Sequence, residues 1–227
     1  IFTVSNEGYL YSIEKNKDAY FSNIFDGVTK NLTDEDHLFA FKISAFENIE
    51  KINESKDFIS NLINNQKIES MIILGSGMGG FEENYESLYQ IDYADIPNFL
   101  SPSIEGHAGK LSIVSINEKL TAILSGRAHF YEGHPIQDLV IPIRAFSLLG
   151  VQNLILTNAA GGIDLKLKKG QLMIIKDHIN LQGGSPLAEK ENFGIGERFV
   201  DMSEPYSKVL IEKVIKISTR SEIKIGL

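Results

Sequence analysis

Met71-Ile72-Ile73-Leu74-Gly75-Ser76-Gly77-Met78-Gly79-Gly80 places four apolar residues directly before a run of glycines. A run this short and apolar predicts a buried strand, and the glycines after it predict a turn whose backbone N–H groups lie bare. The same punctuation recurs downstream. Residues 120–124 run into Gly126-Arg127, residues 153–156 into Asn158-Ala159-Ala160-Gly161-Gly162, and residues 172–175 into Lys176-Asp177-His178. Residues 111–116 form one more strand candidate, joined to 120–124 by the polar Asn117-Glu118-Lys119. Between and around these runs lie helical patterns. Residues 46–65 carry Ile49, Ile52, Ile59, Leu62 and Ile63 near one face, residues 142–149 start near a proline and stop before Gly150, and residues 204–217 are amphipathic, with Ser203 as the expected N-cap.

Strands alternating with helices predict an α/β fold with a twisted, mainly parallel or mixed sheet flanked by helices. In such sheets ligands bind beyond the carboxyl ends of the strands. The glycine-rich and polar clusters 75–80, 126–134, 158–162 and 177–178 all fall at such ends, which predicts one shared pocket.

Composition bounds the rest. A chain of 227 residues suits one large domain with an appendage, and 43% hydrophobic with 23% charged residues excludes a wholly disordered chain. Residues 1–44 scatter Tyr9, Tyr11, Tyr20, Phe21, Phe25, Phe39 and Phe41 among Asn, Asp and Lys without a clean period, so they read as an N-terminal extension and 45–227 as the main domain. Twenty-two basic against thirty acidic residues give a net charge of −8, which argues against broad binding to nucleic acid or an anionic membrane. Cysteine is absent, which excludes disulfides, Cys-ligated zinc and a cysteine nucleophile. No apolar run reaches the ~18 residues of a membrane span, and the first residues lack the pattern of a signal peptide, so a cytoplasmic protein is expected.

The segment Gly126-Arg127-Ala128-His129-Phe130-Tyr131-Glu132-Gly133-His134 is the densest in chemistry. A guanidinium pairs two oxygens of an oxyanion at once, and a histidine can donate to the same anion. Glu132 stands three residues from His129, close enough on a turn to orient or charge it. If the segment is extended instead, Arg127, His129 and Tyr131 face one side. Ser76 adds a hydroxyl beside the first glycines, and the alanines and glycines at 158–162 leave N–H groups unshielded. His107 lies between glycines in a loop, and His178 follows Asp177, where a hydrogen-bonded core histidine is the simpler reading. Two histidines five apart, at 129 and 134, argue against a metal site. The spacing Gly75-x-Gly77-x-x-Gly80 superficially matches a dinucleotide fingerprint but lacks a convincing helix after it. No G-x-S-x-G elbow and no Walker lysine occur, which argues against a serine hydrolase and a P-loop NTPase.

Taken in order, several motifs resemble the trimeric purine nucleoside phosphorylases. They are Ile73-Leu74-Gly75-Ser76-Gly77-Met78-Gly79, Ile96-Pro97-Asn98-Phe99, Gly106-His107-Ala108-Gly109-Lys110-Leu111, the whole of 126–134, Leu148-Leu149-Gly150-Val151, Thr157-Asn158-Ala159-Ala160-Gly161-Gly162, Asp177-His178-Ile179-Asn180-Leu181 and Arg198-Phe199-Val200-Asp201-Met202-Ser203. The resemblance covers roughly residues 46–227. It implies the nucleoside phosphorylase fold, a homotrimer, phosphate as co-substrate with no metal or organic cofactor, and reversible phosphorolysis of purine ribo- or deoxyribonucleosides to free purine and α-(deoxy)ribose 1-phosphate. It further implies that Ser76, Arg127, His129 and the backbone at Ala159 hold phosphate, with His107 at the phosphate and ribose end. Tyr131 would pack on the ribose, and Glu132 would orient His129, the two acting as a catalytic unit. The family continues beyond the equivalent of Leu227, and the residues that read the purine are expected there. The loop Gln182-Gly183-Gly184-Ser185-Pro186-Leu187 is shorter than in many relatives. Methylthioadenosine phosphorylase, within the same family, and a catalytically silent phosphate- or nucleoside-binding protein are the alternatives, with a nicotinamide-dependent oxidoreductase a distant third.

Overall fold

The computed structural model describes residues 35–103, 108–187, 199–221, 223 and 225–226. The first thirty-four residues of the expected N-terminal extension lie outside the described residues. The elements are helix α1 (Glu35–Leu62), strands β1 (Ile68–Leu74), β2 (Ser87–Asp92), β3 (Lys110–Ile116) and β4 (Lys119–Ser125), helices α2 (Ile136–Leu139) and α3 (Ile141–Leu148), strands β5 (Asn153–Leu156) and β6 (Leu172–Met173), helix α4 (Lys208–Arg220) and strand β7 (Ile225–Gly226).

Five strands form one sheet in the order β2-β3-β4-β1-β5, and β6 pairs with β7 separately. β1 is parallel to both of its neighbours, whereas β2–β3 and β3–β4 are antiparallel. The sheet is therefore mixed, with parallel pairing confined to β4-β1-β5. The cause is the short connection after β3. Asn117 and Glu118 both take positive φ, 50° and 63°, the twist of a two-residue hairpin turn, and such a turn can only send the next strand back along the last.

Alternation along the strands divides the apolar side chains between two faces. Met71, Ile73, Leu111, Ile113, Ala122 and Leu124 join Ile52 and Ile59 of α1 and Ala145 and Phe146 of α3 in one large core, with Leu210, Ile211, Val214 and Ile215 of α4 packed against it. On the opposite face Leu74, Val114 and Ile123 form a smaller cluster under Met78, Phe81 and Tyr85, residues of the segment that follows the glycines.

Several element boundaries differ from expectation, β1 among them, which begins at Ile68 and not at Met71. α1 begins at Glu35, so it runs unbroken past position 44, and it ends at Leu62 because Asn64 and Asn65 are left-handed, at φ 53° and 57°. β6 is two residues long rather than four, though Ile174 N–H still donates to Gly226 O at 3.0 Å. α4 starts at Lys208 and is capped by Ser207, whose hydroxyl accepts from Leu210 N–H at 3.4 Å. Ser203, the expected cap, instead gives its N–H and its hydroxyl to Asp201 Oδ1, at 2.8 and 2.6 Å.

Candidate active site

Because β4, β1 and β5 run parallel as neighbours, their carboxyl ends share one edge of the sheet. Leu74 pairs with Ser125 and Ile73 with Leu156, so Gly75-Ser76, Gly126-Arg127 and Thr157-Asn158-Ala159 leave the sheet at one level. The first of these turns requires glycine. A Cβ on Gly75 would stand 2.2 Å from Thr157 O, and the Gly75 N–H donates to Thr157 Oγ1 at 2.9 Å. Thr157 in turn donates its own N–H to Ile73 O at 3.0 Å. The end of β5 is thus bolted onto the end of β1, with the hydroxyl of Thr157 as the pin.

Arg127 projects from the end of β4 and donates through Nη1 to Thr157 O at 3.0 Å. Its turn is fixed from below: Tyr93, 3% exposed, donates its hydroxyl to Gly126 O at 2.8 Å. Burial pushes the Tyr93 phenol well above its ordinary range, with Arg127 and Glu82 acting on it in opposite directions, so it remains a donor at any physiological pH. Ser125 Oγ donates to Glu82 Oε1 at 2.6 Å, tying the strand end to the segment after the glycines. Arg127 also lines a cavity of about 50 Å³ together with Ile73, Leu124 and Leu156 of the strand ends, Tyr93 and Asp138.

Two residues further on, the chain makes a single helical turn over Phe130–Glu132. That turn brings Glu132 back to His129. Oε1 accepts the His129 backbone N–H at 2.6 Å and lies 2.9 Å from Nδ1, while Oε2 accepts the N–H of Ser103 at 2.9 Å and its hydroxyl. Both side chains are largely shielded, at 8% and 5% exposure. Burial alone would raise the Glu132 carboxyl, but the hydrogen bonds from Ser103 and His129 outweigh it and bring it down to about 2. Since Glu132 is ionised, Nδ1 must carry a proton, which fixes the tautomer of the ring. Desolvation, with help from Arg127, holds the imidazole below its usual value even though Glu132 pulls the other way. The expected support of the charged ring is real but smaller than the cost of burying it.

Of the extended and turned geometries considered for 126–134, the turn is the one found. The His129 and Tyr131 rings stack at 4.8 Å with an interplanar angle of 19°, and Tyr131 is 64% exposed. Ser76 and Ala159 are exposed on the turns after β1 and β5. Asn158 donates to Ala159 O at 3.0 Å, and its buried Oδ1 has no partner among the described residues. His107 lies outside the described residues. His178 is hydrogen-bonded as in the simpler reading but half-buried rather than in the core: Nδ1 is 3.1 Å from Tyr206 OH and the rings meet edge to face. A short turn over Phe81–Asn84 follows the glycines at 75–80, not the helix a dinucleotide site needs. No group of three or more His, Asp or Glu able to hold a metal ion occurs among the described residues.

Three residues escaped the sequence reading. Thr157 carried a signal, a threonine closing an apolar strand before a glycine-rich turn. Tyr93 and Ser103 carried none, because each acts through a partner distant in sequence. A guanidinium, an imidazole, a hydroxyl and a glycine-rich backbone gathered at one sheet edge suit an oxyanion.

A family model described as the Phosphorylase superfamily matches residues 71–226. The chain is 45% identical over 139 residues to purine nucleoside phosphorylase 1 of Geobacillus stearothermophilus, covering 61% of this chain and 51% of that protein. It is 40% identical over 177 residues to purine nucleoside phosphorylase 1 of Bacillus subtilis (strain 168), covering 78% and 65%, and 39% identical over 151 residues to the purine nucleoside phosphorylase of Bos taurus, covering 65% and 52%. Among solved structures, isoform 2 of purine nucleoside phosphorylase from Schistosoma mansoni, in complex with cytosine and ribose-1-phosphate, superposes with a TM-score of 0.70 at 34% identity, over 78% of this chain and 64% of that one. The chain spans between half and two thirds of the length of these relatives.

Proposed function

The chain belongs to the phosphorylase superfamily, and from that membership we propose that it works as a purine nucleoside phosphorylase. The reaction is reversible: a purine ribo- or deoxyribonucleoside and inorganic phosphate give free purine and α-(deoxy)ribose 1-phosphate. The observation that carries this reading is the convergence of three parallel strand ends, bearing Ser76, Arg127 and Ala159, beside a shielded His129–Glu132 pair.

Phosphate sits against Ser76, Arg127, the Ala159 N–H and His129 Nε2, with His107 near its ribose side. Glu132 is the positioning residue: holding the Nδ1 proton, it presents Nε2 to the anion. With Nδ1 protonated, Nε2 accepts the proton of hydrogen phosphate, or takes up a proton and donates. Tyr131 packs on the ribose. The C1′–N9 bond then breaks with its electron pair leaving on the purine, which takes up one proton, in balance the one that hydrogen phosphate gives up on becoming the sugar phosphate dianion. Positive charge builds on the ribose ring, and a phosphate oxygen closes the new bond to C1′. The dianion both stabilises that charge and attacks. Holding the two reactants together in this geometry is worth several kcal/mol, about 7 or more by effective-molarity arguments.

Inorganic phosphate is the co-substrate, and no metal or organic cofactor takes part. A cytoplasmic homotrimer completes the reading. It is supported by the similarity to the relatives above, by helices among the described residues that are all too short or too polar to cross a membrane, and by Ile163, Leu165, Ile179, Leu181 and Phe199, apolar side chains at least 81% exposed in the single chain. The test is incubation of a chain extended to the relatives' length, beside the 227-residue chain, with inosine, guanosine or adenosine with and without phosphate. The extended chain should release purine together with ribose 1-phosphate only when phosphate is present, and the 227-residue chain alone little or none. Purine release yielding free ribose, or none from the extended chain in either condition, overturns the reading.

A further inference from the structure

We propose that Ser103 is a positioning residue of the anion site, acting through Glu132 on His129; the proposal rests on the reading of that site given above. A carboxylate gripped at one oxygen can still turn about its own axis and let its partner go. Glu132 is gripped at both. Oε1 is occupied by the two donors of His129, the backbone N–H at 2.6 Å and Nδ1 at 2.9 Å, and Oε2 by the two donors of Ser103, the backbone N–H at 2.9 Å and the hydroxyl. Four hydrogen bonds onto one shielded carboxylate leave it a single orientation, and that orientation fixes both the tautomer and the plane of the imidazole.

The donors of Oε2 come from a separate stretch of chain, twenty-nine residues before Glu132, so the geometry of the histidine turn is not set by the turn alone. That stretch is itself seated on the sheet. Pro102, next to Ser103, packs at 3.1 Å from where a Cβ of Gly109 would lie, and Gly109 donates its N–H to Ser125 O at 2.8 Å while accepting from Tyr93 N at 2.7 Å. The brace on Glu132 is therefore continuous with the end of β4, the strand from which Arg127 projects. Ser103 makes the imidazole and the guanidinium parts of one frame.

The test uses the 227-residue chain, with Ser103→Ala and Ser103→Thr as variants and inorganic phosphate as the probe. Phosphate affinity is measured by calorimetry, and the ¹⁵N resonances of the His129 ring are recorded at mildly alkaline pH without phosphate. In the parent the ring is expected as one tautomer, protonated at Nδ1. Ser103→Ala removes the hydroxyl bond and keeps the backbone one; the ring should become a mixture of tautomers and phosphate should bind about three- to tenfold more weakly. Ser103→Thr keeps the hydroxyl and should restore both readouts. A Ser103→Ala protein with parent tautomer and parent affinity overturns the proposal, as does a loss in Ser103→Thr equal to that in Ser103→Ala. Failure of the parent to bind phosphate removes the phosphorylase reading instead, and the ring resonances then decide the role of Ser103 by themselves.

Discussion

Arg127 reaches from the end of β4 to Thr157 O at the end of β5, 3.0 Å away, and so spans the end of β1 between them. The guanidinium closes the edge of the sheet like a bar, and an anion bound against the glycines of β1 meets it side-on. Arg127→Ala removes a charge-assisted donor and should raise the phosphate KM about tenfold to a hundredfold, with a much smaller change in nucleoside KM. Arg127→Lys should recover only part of the loss, since an ammonium cannot reach the Thr157 carbonyl and an anion through a planar fork. Initial-rate measurements varying each substrate in turn check this; equal effects on both KM values would move Arg127 out of the anion site.

Gly75 and Thr157 meet with no room for a methyl group. Gly75→Ala puts a Cβ 2.2 Å from a carbonyl oxygen that belongs to the neighbouring strand and cannot rotate away. The strand ends must separate, at a cost on the order of 1–3 kcal/mol or more, and the phosphate site should be lost with the register. Thr157→Val keeps the shape and removes the acceptor of the Gly75 N–H, costing about 1–3 kcal/mol for a buried donor left unmade. Denaturant unfolding of both variants measures the two effects.

The His129–Glu132 pair predicts two separate pH regimes. Glu132 is held down at about 2, so its contribution to stability is complete above the ordinary carboxylate range and is lost as pH falls from there toward about 2. His129 is also held down, which has the same proton preference in a higher pH range: the unfolded chain binds a proton below about pH 6.5 while the folded ring stays neutral, so stability falls as pH drops through that value. Thermal midpoints across pH should show both limbs. Glu132→Gln should lower the midpoint at neutral pH and erase the acidic limb. Its phosphate affinity should differ from the parent most at neutral pH and above, where the ring without its carboxylate is hardest to charge, and converge with it in acid. A variant whose affinity profile overlays the parent's would assign Glu132 to structure alone.

Ser207→Ala should cost about 1 kcal/mol, the usual value of an N-cap hydroxyl, and should fray the first turn of α4. Ser203→Ala should leave the helix intact, because the Ser203 hydroxyl bonds Asp201 and no helix N–H. Amide hydrogen exchange at Leu210 distinguishes the two: its protection should fall in the first variant and hold in the second.

The strands that place the site were the legible part of this sequence. β1, β3, β4 and β5 are runs of Ile, Leu and Val with polar or glycine-rich stops, and burial demands that composition. β2 was not legible. Its sequence, Ser87-Leu88-Tyr89-Gln90-Ile91-Asp92, lies at the sheet edge with Leu88 48% exposed, so little burial pressure shaped it. The hairpin direction of β3 and β4 was written in Asn117-Glu118, two residues tolerant enough of positive φ to close a tight turn, but the parallel expectation hid it. Within the site, Arg127, His129 and Glu132 stand close together in sequence and could be read together. Ser103 and Tyr93 could not, because a brace is defined by what it touches, and their partners are twenty-nine and thirty-three residues away. Of Ser203 and Ser207, both suit a cap by residue type, and only the competing carboxylate of Asp201 decides between them.

β1 takes its partners from the distant stretches Leu120–Ser125 and Asn153–Leu156. During folding two large chain loops must close before the edge that carries the glycines, Arg127 and Thr157 exists at all. No short peptide cut from the sequence holds the anion-binding geometry, and an intermediate that has formed only the local β3–β4 hairpin has none of it. On the proposed reading, phosphate recognises the finished topology and not its parts. Added to a refolding chain, it should leave the early steps untouched and slow the unfolding of the completed sheet, acting as a chemical witness that both long crossings have been made.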